Sequence, residues 1–547
     1  MKLRHLLFGL LAGVAFVACT NDDDPAGASP VNGGNKVATA PKYMTVNFVM
    51  PGATTRSDTD AAGTTDESTI NSAAFLFFKN NAQVADPFVI DAGEPDAVSD
   101  GTEGKDDSWD PTDQAPDNAV VVLENPEDIP TSMVVLVNVD VKALTGKTEK
   151  ADVIASLKTK TIAELQAAAA FEKPTAKGPF KMTNAVYNEG GQNVIGAPVG
   201  ADNVKETPAQ ARQNPVKVYI EREAAKVSVK NSATAQTINS GLDKVTVTLK
   251  KWALVFENTQ SSLIKNLGTS YNFGWTWNDA SAHRSYWAET KGYTANNTAT
   301  YAADNNAFGA AVYTSENTIS PTVYTPATEK NTPTQNPTAV IVTAQLTKDG
   351  VDANMNLYKY LGGLYVENDV RTYLINSAPY YKKTSAEGEP ATYEKLVGTD
   401  YEDLVTTTKP EGGKKSQVKI NLVIKADVAN VYTKNENGTM SAAITNAEAN
   451  EELAKGQLVE MYAGGASYYY VPIKQHDDAD NTKDVYGIVR NHFYQLDIKS
   501  VTGLGTAVPV TDQVIVPEDP EPSNKYYIGA ELNVLQWAIV SQSVDLK

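Results

Sequence analysis

Residues 216–229 read VKVYIEREAAKVSV. Val216, Val218 and Ile220 alternate with Lys217 and Tyr219, and Ala225, Val227 and Val229 alternate with Lys226 and Ser228. Successive side chains of a strand point to opposite faces, so this spacing predicts strands with one buried face. Short segments rich in β-branched and aromatic residues recur at 72–79, 119–123, 133–139, 242–256, 339–346, 417–424, 458–462, 468–473, 485–501 and 528–540. Turn-forming residues separate them. Helical spacing is scarce; residues 150–171, with Ile154, Leu157, Ile162 and Leu165, are the best candidate. The expected fold class is therefore all-β, built from β-sandwich domains with long loops and little helix. The Asp-, Gly- and Pro-rich stretch 92–118 and the Asn-, Thr- and Ala-rich stretch 293–338 read as surface insertions. A polar segment at 200–215 precedes the Val216 strand, so the expected domains are 57–213 and 214–547.

Composition narrows the function. The chain has 547 residues, 41% apolar and 21% charged, enough to bury real cores. A formal charge of -19 argues against nucleic-acid binding, which needs a basic face. One Cys excludes a disulfide framework, a thiolate zinc site within one chain and a CxxC redox motif. No Walker A, dinucleotide-binding glycine pattern, HExxH or nucleophile elbow occurs. His283, His476 and His492 lack an obvious Ser or Cys partner. Asp477, Asp478, Asp480 and Asp484 resemble a calcium loop only loosely, without the Gly and distal Glu of an EF-hand. Asp106, Asp107, Asp110, Asp113 and Asp117 are no more specific, and no metal or cofactor is expected. Trp275, Trp277, Tyr286 and Trp287 could stack on sugars, but packing is the preferred reading.

The N-terminus reads as an export signal. Lys2, Arg4 and His5 precede an apolar run at 6–17, shorter than the roughly 20 residues a membrane-spanning helix needs. Residues 1–18 are expected to be the signal peptide. Phe16-Val17-Ala18-Cys19 resembles a bacterial lipobox, with Phe in place of the usual Leu, and marks Cys19 for lipidation. Residues 20–42 form a polar linker in which Asp22, Asp23 and Asp24 read as a solvated charge run. Residues 43–50 (YMTVNFVM) then alternate, with Met44, Val46, Phe48 and Met50 on one face. Pro51-Gly52 ends that strand, and Arg56-Ser57 lies in a small-residue stretch suited to a trypsin-like protease.

Several stretches, taken in order, resemble the Bacteroidales fimbrillins, and among them the shaft subunits of the Porphyromonas-type minor fimbrium. They are the Cys19–strand–Arg56 succession, Phe180-Lys181-Met182-Thr183-Asn184, and Glu221-Arg222 with Ala225-Lys226-Val227. Val489-Arg490-Asn491-His492-Phe493-Tyr494, Gly503-Leu504-Gly505 and Leu532-Asn533-Val534-Leu535-Gln536-Trp537 follow, the last with Gln536 where the family has Pro. The resemblance implies two transthyretin-like β-sandwich domains. It implies export as an outer-membrane lipoprotein (propeptide 19–56), cleavage after Arg56 by an Arg-specific protease, and loss of the first strand. It further implies that another subunit's strand fills the groove, by backbone pairing and side-chain pockets. The donor would be the C-terminal tail, with Ala538, Val540, Val544 and Leu546 alternating around Gln542. Such a contact is heterologous and repeats into a filament.

Cleavage would leave 491 residues with 42 Lys and Arg against 63 Asp and Glu, a net charge of -21 and no Cys. The partners implied are identical subunits, fimbrial anchor and tip or accessory subunits, the Arg-specific protease, and host or bacterial surface receptors, in support of adhesion and biofilm formation. The alternative is a tip or accessory adhesin that binds a glycan or protein and needs no donor tail. A surface glycan hydrolase finds no motif in support, so no enzyme is expected.

Overall fold

The computed structural model describes residues 42–49, 67, 69–91, 118–168, 179–189, 192–233, 236–240, 243–258, 261–266, 295–296, 299–303, 305–318, 337–476, 485–515, 528–529 and 538–546. Its first sheet contains β1 (Lys42–Val49), β2 (Ala73–Lys79), β3 (Asn118–Leu123), β4 (Ser132–Val137), β5 (Met182–Asn184) and β6 (Val216–Arg222). Their spatial order is β2-β4-β5-β6-β1-β3. One face buries Met44, Val46, Phe75, Phe77, Val121, Met133, Val216 and Val218 in a single core. The other face of β2 and β4 carries Ala74, Leu76, Phe78, Val134 and Leu136. Both faces are covered there, which explains why AAFLFFK is a continuous apolar run.

The cover on that second face is helical. The expected helix over 150–171 is two short helices, α1 (Lys150–Lys158) and α2 (Ile162–Ala167). Thr161 restarts the chain: its hydroxyl accepts from the Glu164 N–H, and the Glu164 carboxylate accepts from the Thr161 N–H. This capping box satisfies orphan donors at the second helix's start. Val153, Leu157 and Leu165 then pack onto the sheet.

β7 (Ala224–Asn231), β8 (Gln236–Ser240), β9 (Asp243–Val255), β10 (Ala311–Ser315) and β11 (Ala339–Lys348) follow. An insert then supplies β12 (Leu357–Tyr360), β13 (Gly363–Val366), β14 (Val405–Thr408), β15 (Gln417–Asn421) and β16 (Gln457–Tyr462). The last strands are β17 (Ala466–Pro472), β18 (His492–Val501), β19 (Ile528–Gly529) and β20 (Ala538–Leu546). One sheet runs β10-β7-β18-β20-β19, and a second runs β8-β9-β11-β17 with Thr506–Ala507 at its edge. Val227, Val229, Tyr494 and Leu496 of the first meet Val247, Trp252, Val342, Leu346 and Val471 of the second in one core. Buried Trp252 keeps its indole N–H satisfied by the Ala307 carbonyl at 3.0 Å.

Two features depart from the sequence reading. The first is the boundary expected at 213/214. β6 pairs with β5 and β1 of the first sheet, whereas β7 pairs with β10 and β18. The changeover therefore falls at Glu223. The second is the insert. β11 and β17 pair directly, Ala339 opposite Pro472 and Gln345 opposite Ala466. The chain between them leaves the sandwich and builds its own sheet, β13-β12-β16-β15-β14, and a smaller four-stranded one. α3 (Glu367–Ser377) and α4 (Asn446–Leu453) join these around a core that includes Tyr358, Val370, Ile375, Val418, Ile420 and Met461.

Candidate functional site

β1 occupies a lane between two strands. It runs antiparallel to β3, with Met44 opposite Val121, and parallel to β6, with Val46 opposite Val216 and Phe48 opposite Val218. Met44 and Val46 are fully buried. Side chains of this kind gain roughly 1.5–3 kcal/mol each on full burial. At the strand's start, Tyr43 exchanges two backbone hydrogen bonds with Lys205, at 2.8 and 2.9 Å. Lys42 pairs with Glu206 beside it. An empty lane would leave β3 and β6 with unpaired backbone groups and the core face exposed, which is a template for another strand. Met50, Arg56, Ser57 and Cys19 lie outside the described residues, as does the side chain of Phe48.

The tail strand β20 lies parallel to β18. Ala538 stands opposite His492, Val540 opposite Tyr494, Val544 opposite Ile498 and Leu546 opposite Val501, with an irregularity between Ile498 and Ser500. β19 closes its other side. Parallel pairing thus recurs at β1 on β6 and at β20 on β18.

Between these two lanes the chain crosses from β6 to β7 through a buried charged cluster. Arg490 is fully buried and donates to both Glu316 and the carbonyls of Ser262 and Leu263. Lys265, also fully buried, meets Glu221 at 3.0 Å. Arg222 donates from Nη1 to the Asn491 side-chain oxygen at 3.1 Å and from Nε to the Glu67 carbonyl at 2.6 Å. Burial pulls the Arg222 guanidinium down to about 10, against the opposing pull of Glu67. Burial likewise raises the Glu221 carboxyl, with Lys265 opposing it. Glu223 has neither carboxylate oxygen hydrogen-bonded among the described residues. Burial pushes it up to about 8, opposed by Arg490 and Lys181 and reinforced by Glu316. This is the chemistry of a structural junction: ion pairs and backbone carbonyls tie Arg490, Lys265 and Arg222 to neighbouring segments, while the Glu223 carboxylate is left without a hydrogen-bond partner among the described residues.

The remaining sequence candidates do not converge. His492 is buried with Nδ1 donating to the Arg490 carbonyl at 2.7 Å, a turn-stabilising bond. His283, the Asp477–Asp484 and Asp106–Asp117 groups and the Trp275–Trp287 aromatics lie outside the described residues, and His476 is placed only by its backbone in Lys474–His476. Among the described residues no three His, Cys, Asp or Glu side chains gather as metal ligands, and no helix is long and apolar enough to cross a membrane. The sequence reading quoted Glu221, Arg222 and Arg490 as motif letters but missed their partners Glu316 and Lys265. Neither partner carries a local signal, because the pairs join residues far apart in the chain.

The family comparison maps onto these same strands. Residues 43–222, from the start of β1 to the end of β6, match the family described as major fimbrial subunit protein (FimA). Residues 460–543, spanning β17, β18 and most of β20, match the family described as major fimbrial subunit protein type IV, fimbrillin, C-terminal. The chain is a fimbrillin. It is a structural subunit of a cell-surface fimbrium, assembled with other fimbrial proteins, and it is not an enzyme.

Solved structures similar to this fimbrillin include a fimbrilin from Porphyromonas gingivalis W83, 14% identical, covering 92% of this chain and 97% of its own, with a TM-score of 0.31. A cell adhesion protein from Parabacteroides distasonis is 11% identical, covers 93% and 99%, and also has a TM-score of 0.31. The C-terminally truncated tip fimbrial protein Mfa3 from Porphyromonas gingivalis is 13% identical, covers 65% and 98%, and has a TM-score of 0.28. No curated protein matches the chain. Most of the insert between β11 and β17 lies outside both matched spans of this fimbrillin.

Proposed function

We propose that this fimbrillin is a shaft subunit that polymerises by strand exchange after proteolytic removal of β1. The precursor is exported through residues 1–18 and held at the outer membrane by lipid on Cys19. An Arg-specific protease cuts between Arg56 and Ser57 and releases β1 with the anchor. The tail of another subunit, through Ala538, Val540, Val544 and Leu546, then enters the vacated lane. The observation that carries this reading is β1 itself. It is a near-terminal strand seated between two others, with Met44 and Val46 filling the core beneath it. While β1 stays, the lane is blocked, so polymerisation waits for the cut. The tail of the same chain rests on β18 before donation, so it must leave that edge to serve as a donor.

The test is electron microscopy of the purified chain before and after an Arg-specific protease. Filaments that form only after the cut support the shaft reading. A cut chain that stays monomeric points to the tip or accessory adhesin. Arg56→Ala is expected to block maturation, and normal filaments from it would move the cut elsewhere. Deleting residues 540–547 is expected to leave a folded subunit that cannot assemble. Cys19→Ala is expected to abolish metabolic palmitate labelling.

A further inference from the structure

Glu67 is buried and bridges the crossover between the two sheets it adjoins. Its carboxylate accepts from Lys226 Nζ of β7 at 2.7 Å and from the Tyr313 hydroxyl of β10. Its carbonyl accepts from Arg222 Nε of β6 at 2.6 Å. The surrounding groups are themselves fixed. Lys226 lies 4.9 Å from the Phe493 ring centroid and 5.7 Å from that of Tyr313. Tyr313 packs edge-on against Phe180 at 4.8 Å.

A second hold follows a few residues on. The Asn138 side chain accepts from the Asn71 N–H at 2.7 Å and donates to the Thr69 carbonyl at 2.8 Å. Ile70, flanked by Thr69 and Asn71 of this second hold, is buried in the core of the first sheet. The chain leading into β2 is therefore clamped twice, and Glu67 is the outer clamp.

We propose that Glu67 is the retention point of the N-terminal segment, pinning the chain to β6, β7 and β10 and marking how far the N-terminus can be pared back before the core opens. Its biological role rests on the processing reading above; the clamp itself does not. Loss of β1 removes one side of the first core. Without the Glu67 clamp, fraying would run on to Ile70 and the start of β2. With it, the opened lane keeps rigid walls for an incoming strand. An ordinary buried ion pair would stabilise the whole molecule alike; a retention point protects one segment selectively.

The full chain is treated with an Arg-specific protease and then with dilute proteinase K, and the limit product is read by mass spectrometry. Wild type is expected to stop at or upstream of Glu67. Glu67→Ala is expected to be trimmed to the neighbourhood of β2, with amide exchange at residues 69–72 faster by about tenfold or more and exchange in β9 and β11 unchanged. If Glu67→Ala folds poorly, Tyr313→Phe removes a single hydroxyl from the clamp and is expected to shift the limit in the same direction by less. An unchanged limit and unchanged exchange at 69–72 in both variants would overturn the proposal, as would equal acceleration throughout the molecule. If the Arg-specific protease leaves the wild-type chain uncut, the processing reading fails, and the proteinase K limit still decides the role of Glu67.

Discussion

Arg490 points two nitrogens, Nε and Nη2, at the same oxygen of Glu316, at 3.2 and 3.1 Å, with both side chains withdrawn from solvent. The Arg490 backbone N–H reaches the other Glu316 oxygen at 3.3 Å. Nη1 and Nη2 also donate to the Leu263 and Ser262 carbonyls, so three chain segments meet at one cation. Burial works against the Arg490 charge, but Glu316, Glu223 and Glu221 outweigh it and the net shift is upward.

Removing one partner of such a pair strands the other charge in the interior. Glu316→Ala is expected to destabilise the fold by about 3–5 kcal/mol, read as a lower urea midpoint at pH 7. The double variant Glu316→Leu with Arg490→Met should recover much of that loss, since an apolar pair has no stranded charge. A single variant with wild-type stability would show that the pair is solvated in solution.

Glu223 makes a pH prediction with a definite sign. Its folded value of about 8 lies above the unfolded value of about 4.3. Between these limits the folded chain holds a proton that the unfolded chain lacks. Its contribution is fully present below about pH 4.3 and is lost as pH rises towards 8, at up to about 1.4 kcal/mol per pH unit. Glu223→Gln should flatten the fall in melting temperature between pH 5 and pH 8. An unchanged slope would mean that Glu223 is ionised throughout.

The strands were legible because burial on one face writes a period of two into the sequence. Val216, Val218 and Ile220 are buried, and so are Ala225, Val227 and Val229. The same stretch held a signal for the sheet boundary. The buried parity changes from even to odd between Arg222 and Ala224, where the chain changes sheets. The insert was not legible, because β11 and β17 are neighbours only in space. Its second helix was readable in principle: Thr445, just before NAEANEEL, forms a capping box with Glu448, the third residue of that stretch. Of the candidate site, the β1 alternation at Met44 and Val46 was readable, whereas the Glu316, Lys265 and Glu67 partners required the folded chain.

Gly465 is where the insert rejoins β17. Its φ is +80°, and a Cβ there would sit 2.3 Å from the Leu346 carbonyl oxygen. Both the left-handed backbone and the close approach demand glycine. Gly465→Ala is expected to cost about 1–3 kcal/mol and to loosen the β11–β17 ladder. Amide exchange across Ala339–Lys348 reads this directly, and wild-type protection there would contradict it.

The lane occupied by β1 gives the prediction closest to function. Val46 sits between Ala119 of β3 and Val216 of β6 in register, with no access to solvent. An Asp at this position must either bury a carboxylate, at a cost of several kcal/mol, or pull β1 out of the lane. Since β6 also pairs with β5, whereas among the described residues β3 pairs with β1 as its one neighbouring strand, the displaced strand leaves β3 as the less supported wall. Val46→Asp should therefore raise amide exchange in Asn118–Leu123 more than in Met182–Asn184. On the strand-exchange reading, the variant should also form filaments without the Arg-specific cut, because the block on assembly has been lifted by destabilising β1 rather than by removing it. A Val46→Asp chain that keeps wild-type exchange in β3 would show that β1 does not hold that wall. A chain that loses it yet never assembles uncut would show that cleavage does more than empty the lane.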